Sequence, residues 1–216
     1  MALTGIRLFF GNSVIRSLAY LWAYSFLILF QSCSGEQEKA GKEKPLIIAV
    51  QPFKDIDPAR VAFVTSELKK IYPQVVVMQP IDLPDNSYYP ERNRYRADSL
   101  IRFLQSRAAE RTVVIGLTSK DISTSKGNIR DFGIMGLGYR PGNACIASAF
   151  RLSKNKTDEQ LFKIAVHELG HTQGLKHCPV KTCFMRSAEG KNPTDEETGF
   201  CRKCQHFLMN KNWKII

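Results

Sequence analysis

Three of the chain's four histidines lie within eleven residues, in the segment "HELGHTQGLKH" at positions 167–177. On a helix, His167 and His171 are four residues apart, so their imidazoles lie on one face and can bind one cation. Gly174 can adopt a positive φ and end the helix, which would let His177 reach the same ion. Three neutral imidazoles leave one position of a tetrahedral zinc ion open, as is typical of a catalytic zinc.

Glu168 follows the first of these histidines. It is offset enough to miss the metal, yet it can reach a water molecule that the metal binds. Zinc lowers the pKa of such a water toward about 7 and polarises a carbonyl group. Glu168 would then act as the general base, taking the water's proton and passing it to the leaving amine. The pattern HExxHxxGxxH is expected by chance in a chain of this length at on the order of 10⁻⁵, so it predicts a hydrolytic zinc site.

The same pattern resembles that of the metzincin zinc peptidases. Here Cys178 follows the third histidine at once, "CFM" begins at Cys183 after four intervening residues, and "CRKC" occupies positions 201–204. This arrangement resembles the signature of one metzincin family, the archaemetzincins. The segments "RNRYRADSLIRFL" and "GNACIASAFRL" also resemble parts of that family, so the likeness extends over most of the chain after residue 45.

The resemblance implies a zinc metallopeptidase that cleaves a peptide or protein substrate and binds two zinc ions. It assigns the catalytic zinc to His167, His171 and His177, the general base to Glu168, and a Met-turn beneath the zinc to Met185. It assigns a second, structural zinc to Cys178, Cys183, Cys201 and Cys204. The CxxC spacing at 201–204 agrees with a closed zinc site of four thiolates. Two disulfides are the alternative, because exported proteins favour oxidised cysteines.

Two other functions stay open on the sequence alone. A zinc-dependent hydrolase of a non-peptide amide would use the same ligands and base. A catalytically inactive zinc-binding interaction module would need the ligands only. Glu168 argues against the module, because metal binding alone does not require it.

Strand-like segments alternate with amphipathic helical segments ahead of this site, which predicts a βαβ-type fold. We expect an α/β domain (mixed α+β, metzincin-like) with a mostly parallel twisted sheet packed by helices, a long active-site helix and an irregular, zinc-stabilised C-terminal half. The predicted strands are 45–53, 74–81 and 111–119, followed by two short strands within 132–152. The predicted helices are 58–72 and 94–110, and a third that begins near Thr157 with a Thr157/Gln160 capping box and ends near Gly174. Segments 82–93 and 120–131 are predicted to be loops.

The first 32 residues are predicted to be a signal peptide. Arg7 and Arg16 precede an uncharged apolar run of 13 residues at 18–30, too short to span a bilayer easily. Cys33 then starts a polar segment, which resembles a bacterial lipoprotein signal with Cys33 as the lipidated N-terminus. An uncleaved signal anchor is the alternative. We expect residues 33–44 to be a linker, residues 45–216 to be the peptidase domain, and the protein to lie on the bacterial cell envelope, on its periplasmic or surface face.

The net charge of +11 permits binding to polyanions, but the lysines and arginines are scattered and do not alternate with aromatic residues. We therefore expect no nucleic-acid partner, and a monomer. Cys145 is interpreted as a buried strand residue and His206 as a surface residue. Tyr88 and Tyr89 are interpreted as exposed loop aromatics, with a place in the substrate cleft as the alternative. The strand at 144–150 is hypothesised to pair with an extended peptide substrate.

Overall fold

The computed structural model describes residues 46–215. The expected signal peptide and the expected lipidation site at Cys33 lie outside the described residues. No helix between residues 46 and 215 is long and apolar enough to cross a membrane.

Nine strands and four helices follow one another along the described residues. The strands are β1 (Ile47–Pro52), β2 (Val75–Val77), β3 (Tyr88–Tyr89), β4 (Arg94–Arg96), β5 (Thr112–Thr118), β6 (Ile122–Lys126), β7 (Ile129–Ile134), β8 (Gly136–Gly138) and β9 (Ala144–Ser148). The helices are α1 (Pro58–Ile71), α2 (Ala97–Gln105), α3 (Thr157–Thr172) and α4 (Arg202–Met209).

A five-stranded sheet in the order β2-β1-β5-β9-β8 forms the centre of the fold. Its first four strands are parallel, and β8 is antiparallel to β9. Alternate side chains of β5 enter two different cores, because successive residues of a strand point to opposite faces. Val113 and Ile115 pack with α1 and α3 on one face, while Val114 packs with α2 on the other. The predicted mixed α/β fold with a mostly parallel sheet is confirmed.

A second sheet, in the order β3-β4-β6-β7, was not expected. The predictions of loops at 82–93 and 120–131 are wrong in part. The first segment contains β3. The second contains all of β6 and the first half of β7, which together form a β-hairpin. The helix predicted at 94–110 is shorter, since its first three residues form β4 and pair with β6. These strands are largely polar, and partly buried ion pairs stabilise them in addition to a few apolar residues such as Ile122. Arg94, for example, contacts Asp121 at 2.6 Å and Asp131 at 2.8 Å.

Helix α3, which carries the histidines, begins and ends close to the predicted positions. The predicted capping box is wrong, because Lys156 is the N-cap residue and Thr157 is the first helical residue. The hydroxyl of Thr157 donates to the carbonyl of Ser153 (2.8 Å), and the side-chain oxygen of Gln160 accepts from the Ser153 N–H (2.8 Å). At the other end the helix stops at Thr172, and Gly174 has a φ of +107°, as its predicted role requires.

The C-terminal part of the chain has no core of its own. Met185, Phe200, Leu208 and Trp213 are buried in the same core as α1 and α3. This region is largely irregular, as predicted, apart from α4, which the sequence interpretation did not include.

Candidate functional site

The three histidines of the motif converge on one point. His167 and His171 project from the last turns of α3, and the chain reversal at Gly174 brings in His177. The Nε2 atom of His171 lies 3.0 Å from that of His167 and 3.3 Å from that of His177. Two nitrogens bound to one tetrahedral zinc ion would lie roughly 3.3 Å apart. The three side chains therefore fit a single metal ion of this kind.

Backbone carbonyls determine which ring nitrogen of two of these histidines carries the proton. The Nδ1 of His167 lies 2.6 Å from the carbonyl oxygen of Phe184, and the Nδ1 of His171 lies 2.8 Å from that of Leu175. A carbonyl can only accept, so each Nδ1 must donate, which leaves each Nε2 with a free lone pair. Such a hydrogen bond also fixes the orientation of the ring.

Burial keeps these imidazoles neutral. It lowers the pKa of His167 to about 3, with a further contribution from nearby His171. Burial also lowers the pKa of His171 and of His177, and the positive charge of Arg140 acts in the same direction on both. Neutral imidazole is the form that binds a metal ion, so this environment favours metal binding over protonation at neutral pH.

Glu168 is buried between α3 and β8, with 6% of its surface exposed. It can pack there because β8 begins with Gly136, where a Cβ atom would lie only 2.6 Å from Oε1 of Glu168. Burial raises the pKa of Glu168 to about 8. A carboxyl group with a pKa near neutrality can both accept and release a proton during a reaction. Alternating glycines in "MGLG" were the sequence signal for this close approach, and the sequence interpretation did not use it.

Met185 is fully buried and packs against the helix that carries His167 and His171. Its carbonyl accepts a hydrogen bond from the Cys178 N–H (2.8 Å), and the carbonyl of its neighbour Phe184 is the partner of His167. The side chain of Met185 packs against Gly170 of α3, where a Cβ atom would lie 2.5 Å from the Met185 sulfur. The glycine inside the active-site helix therefore makes room for this turn.

Replacing Gly170 by alanine is expected to lower the free energy of unfolding by about 1–3 kcal/mol, through overpacking against Met185. In an unconstrained helix the same change would stabilise by up to about 1 kcal/mol. Denaturant unfolding of the single variants and of the Gly170→Ala/Met185→Ala double variant measures the coupling between the two sites. A Gly170→Ala variant more stable than the wild type would contradict the packing argument.

The four cysteines predicted to act together also lie together. Their Sγ atoms are all within 4.8 Å of one another. Those of Cys178 and Cys201 are 3.6 Å apart, and all four residues are free thiols. A disulfide needs about 2.05 Å between its sulfurs, whereas two sulfurs on one tetrahedral zinc lie roughly 3.8 Å apart. The spacing thus fits a shared metal ion better than a disulfide.

The four thiols differ in how readily they ionise. Burial opposes ionisation of Cys201, but hydrogen bonds from the Cys204 backbone and the neighbouring thiols lower its pKa to about 7. Burial and the nearby Cys183 raise the pKa of the Cys204 thiol well above its usual range. One thiolate therefore forms readily, and four adjacent thiolates would need a cation among them.

A cavity of about 620 Å³ opens over the histidines. Its walls are the β6–β7 hairpin, β8, α3 and the segment 186–193, with Glu197 at one side. Three charged lining residues, Arg140, Arg151 and Glu197, were not predicted from the sequence. They lie 27, 16 and 30 positions from His167, and no local motif marks them.

The structure corrects the hypothesis that the strand at 144–150 pairs with a peptide substrate. β9 is hydrogen-bonded to β5 on one side and to β8 on the other, so it has no free edge. β8 is the last strand of the sheet and lines the cavity. Of the described strands, only β9 pairs with it.

The remaining residues of the sequence interpretation do not line the cavity. Tyr88 and Tyr89 form β3, outside the cavity. His206 is exposed on α4. Cys145 is a fully buried residue of β9, as expected, and burial raises the pKa of its thiol.

Comparison with known proteins identifies relatives over most of the chain. The sequence profile of Peptidase family M54 matches residues 32–210. The archaemetzincin of Haloquadratum walsbyi is 30% identical over 178 residues, which cover 76% of this chain and 99% of that protein.

Two solved structures have a similar fold. The archaemetzincin of Archaeoglobus fulgidus, crystallised with malonate, gives a TM-score of 0.65 at 29% identity and covers 75% of this chain and 99% of its own. The archaemetzincin of Methanopyrus kandleri gives a TM-score of 0.68 at 27% identity, with 80% and 98% covered.

Proposed function

Because this chain belongs to peptidase family M54, the archaemetzincin family of zinc peptidases, we propose that it hydrolyses peptide bonds with Glu168 as the general base. The observation that carries the proposal is the convergence of three neutral imidazoles beside one buried carboxyl group in an open cavity. His167, His171 and His177 would hold the catalytic zinc. When bound, zinc supplies a Lewis acid and lowers the pKa of a bound water.

Glu168 would move the proton that the reaction releases. One carboxylate oxygen accepts a proton from the attacking water and then donates it to the leaving nitrogen. The burial that raises the pKa of Glu168 favours the second half, in which the carboxyl group holds the proton before passing it on. Cys145, behind it in β9, stays a thiol and takes no part.

A peptide substrate would bind in extended form along the free edge of β8. Backbone groups on the cavity side of Gly136–Gly138 can pair with a peptide as a further strand. Gly136 also keeps this edge close to Glu168. A peptide bond held there lies beside the carboxylate, which is the arrangement that hydrolysis requires.

The four cysteines would hold a second zinc with a structural role, giving two zinc ions per chain. Four thiolates complete a tetrahedral shell and leave no position for substrate. Cys178 follows His177 directly, so the structural site would also fix the third catalytic ligand. We propose that the protein works as a monomer, without a nucleic-acid partner.

The proposed function is tested by digesting an unbiased peptide library with zinc-loaded protein, with protein treated with a mild chelator, and with protein reloaded with zinc. Cleavage that disappears on chelation and returns on reloading is the expected result. A parallel set of non-peptide amides distinguishes the alternative hydrolase. Hydrolysis of those amides alone would refute the peptidase proposal, and no hydrolysis of either set would favour a zinc-binding module.

We further propose that Cys33 anchors the protein to a bacterial membrane through a lipid. Replacing Cys33 by serine is expected to move the protein from the membrane fraction to the soluble fraction and to abolish labelling with a radioactive fatty acid. Cys145→Ser is the control, because that thiol is buried in β9. Continued membrane association of Cys33→Ser with residues 1–32 still attached would instead indicate an uncleaved signal anchor.

A further inference from the structure

Glu197 places a buried carboxyl group on the wall of the catalytic cavity. Only 3% of its surface is exposed, and the residue lines the cavity. Among the described residues, none donates a hydrogen bond to its carboxylate or forms an ion pair with it within 4.0 Å. A buried carboxylate is costly unless a donor or a positive charge pairs with it. A hydrogen-bond donor or a positive charge that enters from the cavity would therefore stabilise this carboxylate.

The nearest positive charges have other partners. The ammonium group of Lys163 donates to the backbone carbonyls of Thr194 and Glu197, at 2.7 Å each. Arg186 pairs with the carboxylate of Glu196 at 2.6 Å. Burial raises the pKa of Glu197 to about 7 in spite of the attraction of Lys163 and Arg186. Neither cation thus compensates the burial of this group.

The carboxylate oxygens of Glu197 are reachable from the cavity. Within residues 46–215, four side chains have a solvent-inaccessible oxygen or nitrogen without a hydrogen-bond partner: Asp55, Thr65, Asp131 and Trp213. The carboxylate oxygens of Glu197 also have no partner, but they are not among these solvent-inaccessible atoms. Since the residue is otherwise buried and lines the cavity, their open side faces the cavity.

The position of Glu197 is fixed relative to the reacting groups. Ile164 lies one helical turn before His167 on α3 and lines the same cavity. The loop that ends at Glu197 is tied to α3 by Gln160, whose amide donates to Asp195 (2.9 Å) and accepts from Asn192 (3.1 Å). These bonds tie the segment that ends at Glu197 to the helix that carries His167, and both residues line the same cavity.

We propose that Glu197 is the specificity-determining residue of a subsite that binds a lysine or arginine side chain next to the scissile bond. This inference rests on the proposed peptidase function. The aliphatic part of the substrate side chain would lie along Ile164 and Pro193, with its charge at the Glu197 carboxylate. The substrate thereby supplies the positive charge that the chain itself does not provide.

Five positive residues line the cavity, and carboxylates neutralise two of them. Arg151 is held by both carboxylate oxygens of Asp121, at 2.8 and 2.9 Å, and Arg186 is neutralised by Glu196. Lys126 extends over the ring of Phe132 on the β6–β7 hairpin, 4.6 Å from the ring centroid, and Arg140 and Lys191 form no ion pair within residues 46–215. These three charges would reduce the attraction for a basic substrate side chain, so the preference depends on direct contact with the Glu197 carboxylate.

The test compares peptides that differ only at the two positions flanking the scissile bond, with lysine, arginine, norleucine or glutamate there. We expect kcat/KM for the lysine and arginine peptides to exceed that for the norleucine peptide by about 10- to 100-fold. Glu197→Gln keeps the shape of the side chain and should reduce the difference to within about threefold. The matched control Glu159→Gln, exposed on α3, should retain it. Equal cleavage of all peptides by the wild type, or a preference that survives Glu197→Gln, would overturn the proposal.

A binding measurement separates this inference from the proposed function. In the Glu168→Gln background, fluorescence anisotropy should show about tenfold tighter binding of the lysine peptide than of the norleucine peptide, and Glu197→Gln should remove the difference. Tighter lysine binding without any cleavage by the wild type would support the subsite and refute the peptidase function. Cleavage with equal binding of both peptides would support the peptidase function and refute the subsite.

Discussion

Replacing Glu168 by glutamine is expected to lower kcat/KM for peptide cleavage by about 10²–10⁴-fold, the range that a positioned general acid–base contributes. Glutamine has nearly the same shape, so it should still pack against Gly136 without a clash. Its amide cannot accept a proton from water and return it to the leaving nitrogen. The loss should therefore appear in kcat, while zinc content and the free energy of unfolding stay close to those of the wild type.

Two further variants test whether activity depends on the position of the Glu168 carboxylate and on this carboxylate in particular. Glu168→Asp keeps the carboxylate but withdraws it by one methylene, so we expect activity between that of the wild type and that of Glu168→Gln. Glu159→Gln removes an exposed carboxylate nine residues earlier on the same helix and should leave kcat unchanged. A fully active Glu168→Gln variant would place the general base elsewhere in the cavity.

The convergence of the three histidines was predictable because its geometry is local. His167, Glu168 and His171 lie within five residues of one helix, and Gly174 supplies the reversal that brings in His177. The helix period and the φ of one glycine are then sufficient to bring the ligand atoms together. The parallel sheet was predictable for a similar reason, since its strands contain continuous apolar runs such as "LIIAV" at positions 46–50.

The second sheet and the cavity walls depend on contacts that are distant in sequence. The β6–β7 hairpin contains few apolar residues, and its stability comes partly from Arg94 and Asp121, which are 27 positions apart. Glu197 is one of four acidic residues between positions 189 and 197. Its neighbour Glu196 forms an ion pair with Arg186, whereas Glu197 does not, and the sequence gives no sign of this difference. Its burial results from packing against α3, more than 30 positions earlier. Neither composition nor periodicity carries that information.

The cysteine cluster connects the histidine cluster to the C-terminal helix. Its disruption is therefore expected to have the second large effect. Cys178 follows the ligand His177, Cys183 starts the turn that contains Met185, and Cys201 is the N-cap residue of α4. Cys204 is 4% exposed and lies in the same core as α1 and α3. A metal ion bound by the four thiolates would therefore join three segments that share little regular secondary structure.

Replacing Cys204 by serine is expected to remove one zinc per chain and to lower the free energy of unfolding by more than about 4 kcal/mol. Structural zinc contributes about 10–16 kcal/mol of apparent binding free energy in zinc-finger peptides, and a hydroxyl does not replace a thiolate ligand. Peptide cleavage should also fall, because His177 loses its anchor at Cys178. Native mass spectrometry measures the zinc content, and denaturant unfolding measures the stability.

The control for this variant is Cys145→Ser, which removes another buried thiol at a site outside the cysteine cluster. It should keep both zinc ions and lose only about 1–3 kcal/mol, the cost of burying a hydroxyl without a good partner. The competing disulfide arrangement gives the opposite pattern. Wild-type protein with one zinc and no free thiols among the four cysteines, destabilised by reductant and not by chelator, would show that disulfides hold this region. Since the 3.6 Å separation of the Cys178 and Cys201 sulfurs suits a shared ion, we expect chelation to be the more destabilising treatment.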